Sequence, residues 1–393
     1  MALPMTLAYP MRKVAVVTGG RADYGLLRPL LRAIAADDEL TLQVIVTGYH
    51  LSAHHGLTWQ QIEIDGFTID ARVTCQQPGD SRLDMARSLG LGVSGMADAL
   101  DRLQPDAVVV LGDRYEILAA AQAALLLDIP LVHIHGGELS QGAVDDAIRH
   151  AISKMAALHF CSTASHRRRL LQLGEDERRV FNTGALAVDN VASIPLWPLA
   201  EFNQRFGTRL QAGFLLVTLH PETAGGYPPE QLAQLLCQGL QPYRERGILI
   251  TGSNADAGGA TIDRILQQFA ADHGRSWHFP ALGLQGYLSA VALAAVVVGN
   301  SSSGLIEVPI LGTPTLNIGI RQQGRYAPAS VMTVEAQPAA IIEALHLLLQ
   351  TPRSGTCLHE YGMPGVARRM LEHLKCALSA GTALHKLPFV DRE

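Results

Sequence analysis

The sequence has few of the residues that nucleic-acid-binding and membrane proteins require. Aromatic residues make up 5% and charged residues 17% of the 393 residues, and the formal net charge is -5. A nucleic-acid-binding protein needs a basic face and rings for stacking, so this class is excluded. The longest largely apolar stretch, Leu288–Val298, is shorter than the ~20 residues that a membrane-spanning helix needs. We therefore expect neither a nucleic-acid partner nor a membrane partner.

Cysteine is also scarce, and its spacing argues against a metal or disulfide framework. The five cysteines are odd in number and never form a CxxC pair (Cys75, Cys161, Cys237, Cys357, Cys376). This pattern is typical of reduced thiols rather than of a zinc site or a secreted disulfide scaffold. The N-terminal residues lack a basic segment ahead of an apolar core, so no signal peptide is predicted, and Met11 is an alternative start to Met1. A cytoplasmic protein without a metal or cofactor is expected.

The chain does contain a regular alternation of short β-branched runs with longer helical patterns. This alternation is typical of βαβ units and parallel sheets, so the predicted fold class is α/β. Strands are expected at Lys13–Thr18, Leu42–Thr47, Phe67–Val73, Ala107–Leu111, Leu131–His135, Leu158–Cys161, Phe214–Thr218, Gly247–Thr251, Ser276–Phe279, Ala295–Val298, Thr315–Ile318 and Ser330–Val334.

The strand series pauses once, which predicts two Rossmann-like domains. After Thr183 and Gly184 the chain becomes loose and contains Pro195 and Pro198, as expected of a hinge. We predict an N-terminal domain at 11–184, a second domain at 185–364 and a C-terminal helix within 365–393 that returns to the first domain. Polar residues follow the strands in both halves, and ligands of parallel sheets bind beyond the carboxyl ends of strands. The ligand is therefore expected in a cleft between the domains.

Two polar turns of the first half could bind or transform a ligand. Arg21 follows a glycine turn at the mouth of a helix, where an arginine beside free N–H groups could clamp a phosphate or carboxylate. The turn is not GxGxxG, which disfavours a nicotinamide cofactor, and a simple capping loop remains an alternative. Asp113 and Arg114 follow a strand expected to be buried, so Asp113 is a candidate base or, alternatively, a helix N-cap.

The densest ionisable cluster follows the strand that ends at His135. Alternation along the strand would put His133 and His135 on one face, so a metal site with Asp113 or Glu138 is one possibility. Carboxylates and histidines around a glycine turn serve acid–base catalysis equally well. One of the two histidines could instead be a core residue. The cluster comprises His133, His135, Glu138, Asp145, Asp146, Arg149 and His150.

In the second half, the turn that carries Ser301 and Ser302 resembles an anion pocket. Small hydroxyl residues at the start of a helix offer several donors to one point, which suits a diphosphate. Glu307 would then be placed to accept hydrogen bonds from a ribose, although it could instead complete a capping box. His220 and Asn254 follow other strands of the same half.

Together these segments resemble the hydrolysing UDP-N-acetylglucosamine 2-epimerases, including the relatives that act on UDP-N,N'-diacetylbacillosamine. The resemblance runs in order from about Lys13 to beyond Arg325. It rests on GGRADYGLLRPLL, VVLGDRYEILAAA, HIHGGE, DDAIRHAISKMAALHF, HPET, GSNAD, GNSSSGLIEVP and NIGIRQQGR.

The resemblance implies a glycosyltransferase-B-type fold, a UDP-sugar substrate and a set of site residues. Catalytic acids would be Asp113 and Asp145, with a further position at His135. Some members read HIEGGE where this chain reads HIHGGE, so His135 and Glu138 both remain candidates for that role. Phosphates would be contacted by Arg21, His220, Ser301 and Ser302, the nucleoside by Asn254, Leu282 and Glu307, and other parts of the ligand by Arg114 and Arg321.

The reaction that the resemblance implies is loss of UDP and of the C2 proton to give 2-acetamidoglucal, followed by hydration with inverted C2, for sialic or legionaminic acid synthesis. The alternatives are a glycosyltransferase of the same fold, a non-hydrolysing epimerase and a non-catalytic UDP-sugar sensor. Relatives commonly form dimers or tetramers, so a homodimer or homotetramer is expected.

Overall fold

The chain folds as two parallel-sheet α/β domains, which confirms the predicted fold class. We analysed a computed structural model, in which the described residues are 11–53, 56–77, 81–139, 144–222, 226–253, 258–351, 353, 360–379 and 384–391. Among these residues no helix combines the length and the apolar character needed to cross a bilayer. No disulfide joins the described cysteines.

The first sheet contains seven strands among the described residues, in the order β3-β2-β1-β4-β5-β6-β7, all parallel. Its central strands are apolar on both faces because helices cover both, as the valine run of β4 illustrates. The strands are β1 (Arg12–Thr18), β2 (Leu40–Thr47), β3 (Ala71–Val73), β4 (Ala107–Leu111), β5 (Leu131–Ile134), β6 (Leu158–Cys161) and β7 (Val180–Asn182).

In the part of the chain that the structure describes, six helices accompany the first sheet before the second domain begins. One close contact requires small residues where two of these helices meet: a Cβ added at Gly92 would lie 2.9 Å from the Cβ of Ala119. The two helices that carry these residues can therefore pack closely. The helices are α1 (Arg21–Ala35), α2 (Trp59–Ile64), α3 (Arg82–Leu103), α4 (Tyr115–Leu126), α5 (Val144–Met155) and α6 (Ala164–Gln172).

The second sheet contains six described strands in the order β10-β9-β8-β11-β12-β13, again all parallel. Its strands are β8 (Leu215–Thr218), β9 (Ile248–Thr251), β10 (Ser276–Phe279), β11 (Val296–Gly299), β12 (Thr315–Ile318) and β13 (Val331–Val334). The remaining helices are α7 (Ala187–Ser193), α8 (Leu199–Phe206), α9 (Pro229–Leu240), α10 (Gly259–Asp272), α11 (Gly283–Leu293), α12 (Glu307–Ile310), α13 (Pro338–Gln350) and α14 (Val366–Ser379).

All twelve predicted strands are present, with small differences at their ends. The third strand is shorter than predicted, because only Ala71–Val73 pairs with β2. The fifth ends at Ile134, one residue before the predicted His135. Sequence reasoning missed β7, a three-residue edge strand whose short run of Val180–Asn182 gives little periodic signal.

The chain divides into two compact units. The first comprises the described residues of Met1–Glu138, Asp145–Leu186 and Gly365–Glu393, and the second those of Leu139–Val144 and Ala187–Pro364. Within the first unit, Lys375 of α14 forms an ion pair with Asp37, 2.8 Å away, and Arg369 donates to the carbonyl of Thr183 at 2.9 Å.

Candidate active site

In the first unit, Arg149 of α5 joins two of the predicted catalytic carboxylates. Its guanidinium forms an ion pair with Asp113, which follows β4, and lies 3.4 Å from Oε2 of Glu138, which follows β5. The same guanidinium donates to the backbone carbonyl of His135 at 3.0 Å. Arg149 is buried, so these charge-assisted contacts are shielded from water and hold the groups in fixed positions.

His135 has a backbone conformation that is unusual for a residue with a side chain. Its φ is +66°, in the left-handed region, which costs free energy unless the surroundings enforce it. Two backbone contacts do so, because its N–H donates to Phe160 at 2.9 Å and its carbonyl accepts from Arg149. Its Nδ1 lies 3.3 Å from Oε1 of Glu138. The prediction that His133 and His135 share a strand face is therefore wrong, since β5 ends before His135.

His133 is instead the histidine that belongs to the core. Its Nδ1 lies 3.1 Å from Oγ of Ser153 and its Nε2 lies 2.8 Å from the carbonyl of Gly112. Complete burial lowers the pKa of His133 to about 3, so the ring is neutral at neutral pH. This hydrogen bond to Gly112 supports the turn that carries Asp113.

Glu138 and Asp145 have different electrostatic environments. Oε1 of Glu138 accepts a 2.8 Å hydrogen bond from Ser162, in addition to its contacts with Arg149 and His135. Asp145 lies in the first turn of α5. Burial, and then the negative charge of Asp113, raise the pKa of Asp145 to about 6. A carboxyl with this pKa exchanges protons readily near neutral pH, as acid–base catalysis requires.

Arg114 forms an ion pair with Glu116 of the adjoining helix α4. Its Nε lies 2.5 Å from Oε1 of Glu116, and its guanidinium stacks 4.5 Å from the ring centroid of Tyr49. Burial raises the pKa of Glu116. Arg114 is the N-cap residue of α4, so the alternative of Asp113 as N-cap is wrong.

The turn before α1 is a capping loop. Asp23 accepts hydrogen bonds from the N–H groups of Gly19 and Gly20 at 2.6 and 3.2 Å. Asp23 therefore occupies the N–H groups of Gly19 and Gly20, which precede the helix. Arg21 is exposed at the start of α1, and its proposed phosphate contact stays a prediction.

In the second unit, Asn300 contacts two predicted ligand residues, His220 through its side chain and Arg321 through its backbone carbonyl. It bonds both backbone groups of His220, accepting from N–H at 2.8 Å and donating to the carbonyl at 2.9 Å. The Asn300 carbonyl accepts from Arg321 at 3.2 Å. Burial, and the nearby charge of Arg321, lower the pKa of His220 to about 3. The imidazole is thus a neutral group, with its Nδ1 3.4 Å from Oγ of Ser253.

The serine turn lies beside this group, but it does not open a long helix. Ser302–Gly304 forms one 3-10 turn, with Ser301 as its N-cap, and α12 begins separately at Glu307. Pro309 lacks an N–H and helps to keep this segment short. The expectation of one helix that runs from the serines to Glu307 is therefore wrong. Within the turn, Oγ of Ser301 accepts from the N–H of Ser303 at 3.4 Å, and Oγ of Ser303 bonds the hydroxyl of Tyr287. Gly299 makes the turn possible, because any Cβ there would lie 1.8 Å from the Thr218 carbonyl.

The three residues expected around the nucleoside, Asn254, Leu282 and Glu307, differ in their surroundings or lie outside the described residues. Burial raises the pKa of Glu307, and its Oε2 is buried without a partner among the described residues. The capping-box alternative for Glu307 thus has no support in its contacts. Leu282 packs in the apolar core with Phe202 and Val291, and Asn254 lies outside the described residues. Among the described residues no group of histidine, cysteine and acidic side chains is arranged to hold a metal ion.

Glu116, Ser162 and His166 were not among the predicted site residues, and Arg149 was included in the ionisable cluster without a role of its own. The position of Arg149 indicates a role, because it lies four residues after Asp145 and therefore on the same face of α5. Ser162 follows β6 directly, at the carboxyl end of a parallel strand, where ligand-binding residues are expected.

Comparison with solved structures defines the class of the fold. The crystal structure of UDP-GlcNAc 2-epimerase from Neisseria meningitidis bound to UDP-GlcNAc matches with a TM-score of 0.78 and 18% identity, covering 92% of this chain and 99% of that chain. At this identity the likeness shows the fold alone. It is the glycosyltransferase-B-type fold, as predicted.

Sequence comparison then defines the family. The family model described as UDP-N-acetylglucosamine 2-epimerase matches residues 32–375. The chain is 40% identical to the GDP/UDP-N,N'-diacetylbacillosamine 2-epimerase (hydrolyzing) of Campylobacter jejuni, over 82% of this chain and 84% of the relative. It is 34% identical to the UDP-N,N'-diacetylbacillosamine 2-epimerase (hydrolyzing) of Legionella pneumophila, over 87% and 90%. The chain belongs to the UDP-N-acetylglucosamine 2-epimerase family.

Proposed function

We propose that this protein is a hydrolysing 2-epimerase that converts a UDP-2-acetamido sugar into UDP and the free sugar with inverted C2. One observation carries the proposal for this family member: Arg149 gathers Asp113 and Glu138, beside Asp145 with its raised pKa. Ligand binding alone does not need several carboxyl groups with different environments, whereas proton abstraction and return do.

UDP-N,N'-diacetylbacillosamine is the first substrate to test, because two relatives that are 40% and 34% identical bear names with this sugar. UDP-N-acetylglucosamine is the second, since it gives the family its name. The corresponding products would serve legionaminic or sialic acid synthesis. The loops expected to distinguish the two sugars are Thr47–His55 and Leu139–Ala143, of which residues 54–55 and 140–143 lie outside the described residues.

The leaving diphosphate would be stabilised by a group of residues in the second unit, which comprises His220, Ser301, Ser302 and Arg321. Arg321 supplies positive charge, and the neutral His220 supplies a hydrogen-bond donor next to the hydroxyls of Ser301 and Ser302. Arg21 is proposed as an additional phosphate ligand. Charge that develops on departing UDP is then met by groups already in position, which is often the largest contribution to catalysis. Such help is needed because the C2 proton is not adjacent to a carbonyl.

The proton transfers would be carried out by residues of the first unit, Asp113, His135, Glu138 and Asp145, which we call the proton-transfer group. In the proposed reaction Asp113, held by Arg149, takes the C2 proton as UDP leaves and the glycal double bond forms. Water then adds its hydroxyl to C1, and the carboxylic acid form of Asp145 gives a proton to C2 from the opposite face. The pKa of about 6 leaves part of the Asp145 population protonated near neutral pH. His135 and Glu138 complete the proton-transfer group.

The deciding experiment incubates the protein with each sugar nucleotide in D2O, without a sugar acceptor. We expect release of UDP and of a C2-inverted sugar with deuterium at C2, detected by NMR. A requirement for an acceptor would indicate a glycosyltransferase, and a product still attached to UDP would indicate a non-hydrolysing epimerase. Protium retained at C2 would overturn the elimination mechanism. Activity that survives a chelator would agree with the expected absence of a metal.

A further inference from the structure

Beyond the proton-transfer group, two side chains extend its hydrogen bonds into α6. Oγ of Ser162 donates to Oε1 of Glu138 at 2.8 Å and lies 3.0 Å from Nδ1 of His166. Ser162 is fully buried. A serine hydroxyl carries one proton, so while Ser162 donates to Glu138 it must accept the Nδ1 proton of His166.

The surrounding contacts hold the residues of this hydrogen-bonded chain in place. The N–H of His166 donates to Oγ1 of the N-cap residue Thr163 at 3.1 Å, which sets the first turn of α6. Gly137 packs against the same turn, because a Cβ there would lie 2.4 Å from the His166 carbonyl. His135 lies at the other end, 3.3 Å from Oε1 of Glu138. The sequence His166, Ser162, Glu138, His135 is therefore continuous and buried.

We propose that His166, Ser162 and Glu138 form a proton relay that exchanges protons between α6 and the sugar site at His135. This proposal rests on the proposed function, in which one group gains the C2 proton and another loses a proton in every turnover. The two groups end each cycle with exchanged protonation states, and addition of water to C1 releases one more proton. The site therefore needs a route that restores the starting states.

The relay step balances without any further reactant. A proton that arrives at Nε2 of His166 releases the Nδ1 proton to Oγ of Ser162, while the hydroxyl proton of Ser162 passes to Oε1 of Glu138. Only N–H and O–H bonds form and break, and the resulting carboxylic acid lies beside His135. Reversal of the step carries the proton back. Burial lowers the pKa of His166 to about 4, so the imidazolium form is scarce near neutral pH, and in the proposed step the Nδ1 proton leaves as the new proton binds Nε2.

The relay also gives a reason for histidine at position 135, where the family resemblance allows glutamate. A glutamate there would put a second carboxylate beside Glu138, whereas His135 can accept a proton from it. Ser162 and His166 are positioning and relay residues, since neither is placed against the sugar. The charged and titratable groups that face His166 are Glu138, His135, Arg149 and Arg169.

The kinetic test compares Ser162→Ala and His166→Gln with Ser165→Ala. Ser165 lies on the same helix and bonds Thr163 at 2.8 Å, so its loss controls for a serine-to-alanine change outside the relay. We expect kcat to fall roughly 10²-fold in the two relay variants, the usual range for proton-transfer groups, with KM unchanged. Ser162→Thr, which keeps the hydroxyl, should retain activity, and added imidazole should partly rescue His166→Gln. Unchanged kcat in both relay variants would overturn the relay.

A second measurement does not depend on turnover. Long-range ¹⁵N NMR of the wild-type protein should show the Nδ1–H tautomer of His166, and Ser162→Ala should change its ¹⁵N shifts whereas Ser165→Ala should not. An Nε2–H tautomer would direct the Ser162 proton towards His166 and overturn the relay. If the wild-type protein turned over neither sugar nucleotide, the proposed function would fail, and this tautomer would decide the relay alone.

Discussion

At the scale of single residues, three carboxyl groups that are chemically alike differ in their surroundings. Arg149 fixes Asp113, while Glu138 accepts hydrogen bonds from Arg149 and Ser162. For Asp145 the largest effect is burial rather than a nearby cation, and burial raises its pKa. Groups with different environments can take the roles of base and acid within one site.

The raised pKa of Asp145 has a consequence for stability. Its folded-state pKa of about 6 exceeds the ordinary 3.8, so its contribution to folding is complete below pH 3.8 and is lost as the pH rises through 6. Asp145→Asn should therefore stabilise the protein at pH 8, by about 1–2 kcal/mol after allowance for solvent screening, while it abolishes turnover. Thermal unfolding at pH 5 and pH 8 measures the effect.

Asp146→Asn is the matched control for this prediction. Asp146 is the neighbouring residue of α5, and its carboxylate lies 3.6 Å from Nε2 of His150. We expect little change in stability or turnover from this variant. Equal stabilisation by both variants would show that general charge removal, rather than burial of Asp145, is the cause.

Asp113→Asn separates catalysis from binding. Asparagine preserves the shape of the side chain near Arg149 but cannot take up a proton as a base. We expect turnover to fall at least 10³-fold, while UDP affinity measured by calorimetry stays within about twofold. Loss of UDP binding together with turnover would instead make Asp113 a structural or ligand-binding residue.

The sequence allowed the site residues after each strand to be predicted, but not their partners. Asp113, Glu138 and His220 follow strands because parallel topology places strand ends at one edge of a sheet. Arg149 was assigned no partner, since ion pairs between α5 and two separate strand ends depend on packing. The left-handed backbone of His135 could not be predicted either, because it is enforced by hydrogen bonds to Phe160 and Arg149 that are distant in sequence.

At the scale of elements, the segment after α14 is anchored to the first unit by a buried carboxylate. Glu175 accepts from Nζ of Lys154 at 2.6 Å and from Lys386, and lies 3.0 Å from Nε2 of His159. Burial alone would raise the pKa of Glu175, but hydrogen bonds from His159, Lys154 and Lys386 outweigh it and lower the pKa to about 2. The stabilising contribution is therefore present above pH 4.5 and is lost as the pH falls towards 2.

Glu175→Gln should destabilise the protein by about 1–3 kcal/mol at pH 7, because it removes a buried carboxylate that pairs with two partly exposed lysines. The control is Glu372→Gln, which removes an exposed pair with Arg368 at 2.9 Å and should cost at most about 0.5 kcal/mol. Urea unfolding at pH 7 measures both. A similar cost for the two variants would contradict the anchoring role of Glu175.

The elements that the sequence predicted best are those with strong local patterns. The valine run of β4 has the predicted bounds because its apolar residues have no helical periodicity. The serine turn was predicted less well, since its division into Ser302–Gly304 and Glu307–Ile310 is not indicated by the serine-rich sequence alone. The serine-rich sequence therefore indicated a polar turn at this position but not the length of the helix that follows it.

At the scale of the whole molecule, the proposed division of labour assigns UDP mainly to the second unit and the sugar to the first. Binding to the folded state stabilises it by mass action, about 2.7 kcal/mol at a ligand concentration 100 times Kd. Protection from amide hydrogen exchange should be greatest at the residues that contact the ligand. We expect UDP alone to slow amide hydrogen exchange around His220 and Ser301–Ser302, with little effect around Asp113.

The substrate should add a second region of protection. When Asp113→Asn is mixed with the UDP-sugar, slow turnover keeps the substrate bound, and exchange should also slow around residues 112–116 and 134–139. Uridine is the control ligand, because it lacks the diphosphate and should protect the serine turn less than UDP does. Hydrogen-exchange mass spectrometry resolves these segments. Protection by UDP that begins around Asp113 and omits His220 would reverse the assignment, because the diphosphate would then be bound by the group proposed to transfer protons.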